Sequence, residues 1–167
     1  MHKIEDFIHR VSRLDKGLVA KPSGLPVIEH SSYRLPRDLE CFYRLCGGTA
    51  TLFAGSPFPS GVLRPEEVVY ATPKILTTSY EEDPIYYDNR SSRSLYLVGF
   101  GSTGDITISL DPERTDFGYC FDSGGSQHGE ADSRVISKSF TELLTTILAK
   151  EGESPLWEGN TYGYFDD

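Results

Sequence analysis

The spacing of the apolar residues changes twice along this 167-residue chain. At the N-terminus they recur every three or four residues, at Ile4, Phe7, Ile8, Val11, Leu14 and Leu18. This spacing predicts an amphipathic helix over 4–18. A second helix is predicted over 35–48, with Pro36 at its first position and Gly47 or Gly48 as its left-handed cap. The chain therefore begins with two helices separated by a Pro- and Gly-containing linker.

From Thr51 onward, apolar and polar residues alternate, which is the period of a half-buried strand. Short strands are predicted at 51–54, 62–63, 95–100, 105–110, 117–121 and 134–136, with 101–104 as a hairpin loop and 111–113 as a turn. A last helix begins at Ser139, since Ser139 and Glu142 have capping-box spacing. We therefore predict an α+β fold, in which N-terminal helices and a C-terminal helix pack on a mainly antiparallel sheet of about six strands.

Composition excludes several classes of protein. Three cysteines cannot all be paired, which argues against a disulfide-stapled secreted scaffold. The first ten residues are charged throughout, and no apolar run approaches 18 residues. Neither a signal peptide nor a membrane span is therefore expected, and the sequence favours a cytoplasmic protein with no membrane partner.

Charge is distributed unevenly along the chain, whose net charge is −9. Residues 1–79 carry 10 basic and 8 acidic side chains, whereas residues 80–167 carry 6 basic and 17 acidic ones. An acidic half repels phosphate, so nucleic acid is not expected as a partner. A protein with a basic surface is the expected partner instead. The alternative is that the excess acid serves only solubility.

The range 99–104 spells G-x-G-x-x-G, which raises the question of a dinucleotide site. Such a site needs a helix N-terminus directly after the glycines, because that end of a helix binds the pyrophosphate. An alternating segment that opens with Asp105 follows instead. The glycines are therefore interpreted as part of a hairpin, and no cofactor is expected.

Metal-binding and catalytic residue types are scattered. Cys41 and Cys46 lie about 140° apart around a helix and cannot share one zinc ion, while Cys120 has the setting of a buried strand thiol. Four carboxylates could cluster: Asp105, Asp111, Asp122 and Asp132. Each lies at a strand end or turn, where Asp commonly accepts backbone N–H groups. We therefore expect no metal site and no catalytic residue, and we do not expect the protein to be an enzyme. A pocket lined by several of these carboxylates would instead indicate an enzyme.

Tyrosines and carboxylates are interleaved in a connection of about 18 residues between predicted strands, a length that usually indicates function. The predicted partner-binding residues are Tyr80, Glu81, Glu82, Asp83, Tyr86, Tyr87 and Asp88. Tyrosines provide buried anchors at protein interfaces, and carboxylates steer a basic partner toward them. The alternative is an exposed acidic loop whose tyrosines fold back on the body.

Several segments resemble the SUKH superfamily, which includes the Smi/Knr-like and Syd-like proteins. The pattern Leu-Pro-x-x-Leu-x-x-Phe-Tyr…Gly-Gly over 35–48 resembles a helix of that family. In the same order, 64–68, 104–111 and 139–144 resemble its post-strand segment, its Gly-Asp strand and its closing Ser-Phe-x-Glu helix. The resemblance predicts a SUKH-like domain over 1–150 and leaves 151–167 as an acidic, aromatic tail.

The resemblance implies a scaffold and no active site. Bacterial members are most often cytosolic immunity proteins that bind and neutralise a cognate polymorphic toxin, commonly a nuclease or a deaminase. The resemblance thus implies a non-enzymatic toxin–antitoxin partner protein that binds a basic toxin domain. The yeast members regulate cell-wall synthesis, so a Smi/Knr-type regulator or adaptor with an ordinary protein partner is the alternative. The oligomeric state stays open.

Overall fold

The computed structural model describes residues 2–15, 17–75, 93–101, 104–124, 128, 133–159 and 162–164. Its helices are α1 (His2–Val11), α2 (Arg37–Leu45), α3 (Thr72–Ile75) and α4 (Phe140–Lys150), with a 3₁₀ turn at Pro65–Glu67. Its strands are β1 (Gly61–Val62), β2 (Leu95–Gly101), β3 (Gly104–Ser109), β4 (Cys120–Asp122) and β5 (Arg134–Ser137). The predicted α+β fold is confirmed.

The five strands of the described residues form one sheet in chain order, each antiparallel to the next. Strands β2 and β3 form a hairpin in which Gly101 pairs with Gly104. The glycines of 99–104 therefore belong to two paired strands, and β3 follows them where a nucleotide site would need a helix. None of the described helices is long and apolar enough to cross a bilayer.

One face of the sheet packs against α1, α2 and α4. The buried side chains of these helices are Ile4, Phe7, Val11, Leu39, Phe42, Tyr43, Phe140, Leu143, Leu144, Ile147 and Leu148. Phe42 joins the three helices, because its ring centroid lies 6.3 Å from that of Phe7 and 5.2 Å from that of Phe140. The apolar residues of α4 recur every three or four positions, and all of those named here are buried.

The first helix is shorter than predicted, because α1 ends at Val11 instead of continuing to residue 18. A turn follows, in which the Leu14 and Gly17 N–H groups donate to the Val11 and Leu14 carbonyls. A Cβ at Gly17 would lie 2.0 Å from the Val11 carbonyl oxygen, so the turn needs glycine. Leu18 lies beyond it and is 69% exposed, so it is not on the buried stripe.

The second helix also differs at its ends. Pro36 is the N-cap of α2 instead of its first helical residue, and its carbonyl accepts the Glu40 N–H at 3.0 Å. Cys46 ends the helix in an extended conformation, and the left-handed glycine, Gly48, lies two residues further on. The predicted strand 51–54 is reduced to isolated bridges such as the one between Leu52 and Ser60. Turns occupy the chain between 111 and 119, so the strand predicted at 117–121 begins only at Cys120.

The start of α4 is fixed by several hydrogen bonds. The Ser139 hydroxyl accepts the Glu142 N–H at 3.1 Å, which confirms the predicted cap. The Glu142 carboxylate accepts the N–H of Lys138, at 2.7 Å, instead of that of Ser139. Asp38, on α2, accepts the Thr141 N–H at 2.7 Å. The N-terminus of α4 is thereby tied to α2 as well as to the end of β5.

The other face of the sheet carries a second, smaller core. Its buried apolar residues are Ala71, Leu95, Leu97, Phe121 and Val135. His128 is buried and lies 3.1 Å, through Nε2, from the Thr72 hydroxyl of α3. Its Nδ1 has no hydrogen-bond partner in the described part of the chain. Because burial disfavours the imidazolium, the pKa of His128 is lowered to about 4.

This burial predicts a loss of stability in mild acid. The unfolded chain binds a proton at His128 near pH 6.5 and the folded chain only near pH 4, so the free energy of unfolding falls as pH falls through that window. The loss is at most about 3 kcal/mol by linkage. Urea denaturation between pH 7 and pH 4 measures it, and His128→Gln should flatten the curve relative to wild type.

The matched control is His9→Gln, since His9 lies on the exposed side of α1. Its curve should follow that of wild type. A His128→Gln curve parallel to wild type across the whole window would show that burial of His128 makes no contribution.

Candidate functional site

The seven predicted partner-binding residues lie in 76–92, outside the described residues. They are Tyr80, Glu81, Glu82, Asp83, Tyr86, Tyr87 and Asp88. Their role stays a prediction that rests on the sequence.

The aspartates that could have formed a catalytic cluster are separated by the strands that carry them. Asp105 is at the start of β3 and Asp111 lies beyond its end, about 20 Å apart along an extended strand. Asp122 pairs with Ile106, so both side chains lie on the face of the sheet that the helices cover. Asp105 precedes Ile106 in β3, and its side chain therefore projects to the opposite face. Burial raises the pKa of Asp105, but neither the Asp111 nor the Asp122 carboxylate lies beside it. Asp132 lies outside the described residues.

The cysteines have structural settings. All three are free thiols, with Cys46 and Cys120 buried and Cys41 half-buried. Burial raises the pKa of the Cys46 thiol to about 11, and that of Cys120 further, so both are neutral in the folded chain. In the described ranges, no three His, Cys, Asp or Glu side chains lie close enough to hold a metal ion.

A groove of about 500 Å³ opens on the sheet face opposite α1, α2 and α4, at the end formed by β4 and β5. We call it the tyrosine groove. It is lined by Arg114, Thr115, Asp116, Tyr119, Phe121, Val135, Lys138, Tyr162 and Tyr164. Phe121 and Val135 form its floor, since both are buried in the second core. Tyrosine and arginine are the residue types enriched at the energetic centres of protein interfaces.

The Arg114–Asp116 ion pair forms one wall of the tyrosine groove. Two guanidinium nitrogens donate to the two oxygens of the Asp116 carboxylate, at 2.9 and 2.8 Å. The pair is largely buried, and the Ser109 hydroxyl also donates to Asp116, at 3.1 Å. Its two charges therefore neutralise each other, and the bidentate geometry holds both side chains in place.

Lys138 supplies a further cation. It is exposed, and its Nζ lies 5.8 Å from the ring centroid of Tyr119 and 5.4 Å from that of Tyr162. Both distances are within cation–π range, so the rings hold the ammonium over the groove. Among the described residues, no carboxylate forms a salt bridge with Lys138.

The segment after α4 builds the remaining wall. The Gly163 carbonyl accepts the Val135 N–H at 3.1 Å, and Tyr164 forms a β-bridge with Arg134. The Arg134 guanidinium lies 4.1 Å from the ring centroid of Trp157. These contacts cover the outer edge of β5 with chain from the C-terminal segment, which protects an otherwise unpaired edge strand.

Glu142 connects this segment to α4. One oxygen of its carboxylate accepts the Lys138 N–H, and the other accepts the hydroxyl of Tyr162. The hydrogen bond that Tyr162 donates to this carboxylate, together with burial, raises the pKa of the Tyr162 hydroxyl. Tyr162 is thereby held as a neutral donor beside Lys138.

Sequence reasoning missed the tyrosine groove, because it treated 151–167 as a tail outside the domain. The sequence feature that could have indicated the groove is the grouping of Trp157, Tyr162 and Tyr164 in an acidic segment. Aromatic residues in a polar segment often pack on a neighbouring surface. Whether 1–150 folds as a separate domain stays a prediction.

Neither the family models nor the solved structures contain a match to the chain. It is 32% identical over 161 residues to a protein of Bacillus subtilis (strain 168) named immunity protein YokJ. The match spans 95% of this chain and 91% of that protein. The chain belongs to the family of immunity protein YokJ. Because so little of the chain lies outside the match, the likeness to YokJ extends past Lys150 into the segment that builds the groove wall.

The hydrogen bond from Tyr162 to Glu142 gives a local prediction. Tyr162→Phe removes the donor and should loosen the C-terminal segment from β5. The Val135 amide, which donates to Gly163, should exchange with deuterium about tenfold faster, while the global free energy of unfolding changes by about 1 kcal/mol or less. Amide exchange followed by NMR measures both.

Tyr119→Phe is the matched control, because it removes a hydroxyl from the same groove that forms no hydrogen bond in the described structure. It should leave the exchange of Val135 unchanged. Equal exchange in both variants would mean that the bond to Glu142 does not hold the segment.

Proposed function

We propose that this chain is an immunity protein that binds a cognate protein toxin and neutralises it by stoichiometric occlusion, without catalysis. The observation that carries this proposal is the 32% identity, over nearly the full length of both chains, to a protein named an immunity protein. The α+β fold and the order of the segments at 35–48, 104–111 and 139–144 support the finer assignment to the SUKH superfamily.

The separation of the carboxylates supports a role without catalysis. A catalytic pair of carboxylates would need two of Asp105, Asp111 and Asp122 within reach of one substrate, and the strand register separates them. Asp111 is used within the protein, since its carboxylate accepts the Glu113 N–H at 2.9 Å. The tyrosine groove offers binding surface instead.

We propose that the toxin is a basic protein of the nuclease or deaminase type, met in the cytoplasm. Support comes from the charge of residues 80–167, where acidic side chains outnumber basic ones 17 to 6. Four of those acidic side chains are exposed in the described part of the chain, namely Glu113, Glu151, Glu153 and Glu158. A toxin that acts on nucleic acid needs a basic cleft, to which such carboxylates are complementary.

Co-expression tests the proposal directly. Cells producing the toxin encoded beside this chain should survive when the chain is present and die when it is absent. The purified proteins should form a stoichiometric complex that associates about tenfold more slowly as salt rises from about 50 to about 500 mM, because steering is screened. Stopped-flow mixing measures the rate. Absence of both protection and binding would overturn the proposal.

The segment 80–88 is proposed as part of the contact with the toxin, on sequence grounds. Replacing three carboxylates together (Glu81→Gln, Glu82→Gln, Asp83→Asn) should slow association by weakening steering. Tyr86→Ala or Tyr87→Ala should instead speed dissociation about tenfold, because a buried aromatic anchor is lost. Stopped-flow and biolayer interferometry separate the two rates.

The matched control removes three exposed acidic side chains from the other half: Glu5→Gln, Asp6→Asn and Asp15→Asn. It should slow association less than the change at 81–83. If both triple variants slow association equally, net charge alone acts, and 80–88 has no special part in binding.

The alternative function is a Smi/Knr-type regulator or adaptor, supported by the same sequence resemblance. It predicts a stable complex with an ordinary cellular protein and no protection against any co-encoded toxin. The survival assay therefore separates the two functions.

A further inference from the structure

The tyrosine groove has the opposite electrostatic character to the acidic half of the chain that contains it. Arg114 and Asp116 neutralise each other in one wall. Among the described side chains that line the groove, the charge without a salt-bridge partner is that of Lys138, held over the rings of Tyr119 and Tyr162. The Glu142 carboxylate behind Tyr162 accepts the Lys138 N–H and the Tyr162 hydroxyl. The described lining therefore carries a net positive charge in a chain whose net charge is −9.

The positions of these groups are fixed before any partner binds. The Lys138 backbone N–H donates to Glu142, and the Tyr162 hydroxyl donates to the same carboxylate. The turn that carries the Arg114–Asp116 pair is closed by hydrogen bonds, since the Arg114 N–H donates to the Asp111 carbonyl and the Tyr119 N–H to the Asp116 carbonyl. A preformed recess loses little side-chain entropy when it is filled, which favours specific binding.

We propose that the tyrosine groove receives an acidic side chain, Asp or Glu, of the protein partner, and that this carboxylate pairs with the Lys138 ammonium. The proposal deepens the proposed function and depends on it, because the partner is the toxin. Charge complementarity selects the occupant: the groove's cation lacks a salt-bridge carboxylate in the described chain, and the floor of Phe121 and Val135 excludes water from one side of the pair.

A single carboxylate fits this recess better than a nucleic acid does. A polyanion on this molecule would also meet the acidic side chains of residues 80–167, which outnumber the basic ones 17 to 6. Repulsion from these would grow with every phosphate, whereas one protein side chain brings one charge. Nucleic acid in the groove is therefore an outcome of the test and not the proposal.

The test compares charge reversal at two lysines. Lys138→Glu and Lys138→Met alter the groove, and Lys21→Glu and Lys21→Met are the matched controls. Lys21 is exposed and lies beside the β1 edge of the sheet, where the Ala20 carbonyl accepts the Gly47 N–H and Thr49 pairs with Val62, far from β5. Urea denaturation checks that all four variants fold. The probe is a catalytically inactive variant of the toxin encoded beside this chain, titrated by calorimetry.

Lys138→Met should weaken binding of the toxin at least about tenfold, and Lys138→Glu further, while both Lys21 variants stay within about twofold of wild type. Replacing the toxin's matching Asp or Glu by lysine should then restore binding of the toxin to the Lys138→Glu variant. The same toxin variant should bind the wild-type chain more weakly. Such reciprocal rescue is the result expected only of a direct pair.

Other outcomes identify which idea fails. If the wild-type chain does not bind the toxin, the proposed function is wrong, and this inference falls with it. If the wild-type chain binds and Lys138→Glu binds equally well, the groove proposal is wrong and the immunity function stands. If a fluorescent single-stranded oligonucleotide binds wild type and is released by Lys138→Glu, the groove takes phosphate, which overturns the proposal.

Discussion

The Glu142 carboxylate joins two parts of the molecule that would otherwise be independent. Its own N–H is bonded to Ser139, so it sits at the start of α4 by helix capping. Its two oxygens then hold the end of β5, through the Lys138 N–H, and the C-terminal segment, through Tyr162. One acidic side chain at the start of α4 therefore fixes both Lys138 and the wall of the tyrosine groove that the C-terminal segment builds.

Burial of the sheet on both faces explains why several described carboxylates of residues 80–167 form hydrogen bonds and ion pairs within the fold. A sheet covered on both sides needs polar side chains at its ends and turns to satisfy backbone groups. Among the described carboxylates of that half, Asp111 binds a turn N–H, Asp116 pairs with Arg114, and Glu142 serves the cap. The exposed acid is concentrated in the turn at Glu113 and in the C-terminal segment.

The sequence predicted the elements whose residues interact locally. The core stripe of α4, its Ser139 cap and the β2–β3 hairpin follow from spacings of two to four residues, and the structure contains them. The predicted end of α1 was wrong, because the helix stops in a local turn between Val11 and Gly17 that apolar spacing does not encode. The groove was missed for a different reason: its walls come from segments far apart in the chain, and only the strand order brings them together.

A mixed electrostatic surface would give an immunity protein two separate means of recognition. A negative field acts over about a Debye length and attracts any basic protein, so it would raise association rates without selecting a partner. In contact, the Lys138 ammonium would penalise a partner that presents a lysine, an arginine or an apolar group there, since Lys138 would be desolvated without compensation. Related toxins with equally basic clefts could then be distinguished by whether they carry a carboxylate at the position that meets the groove.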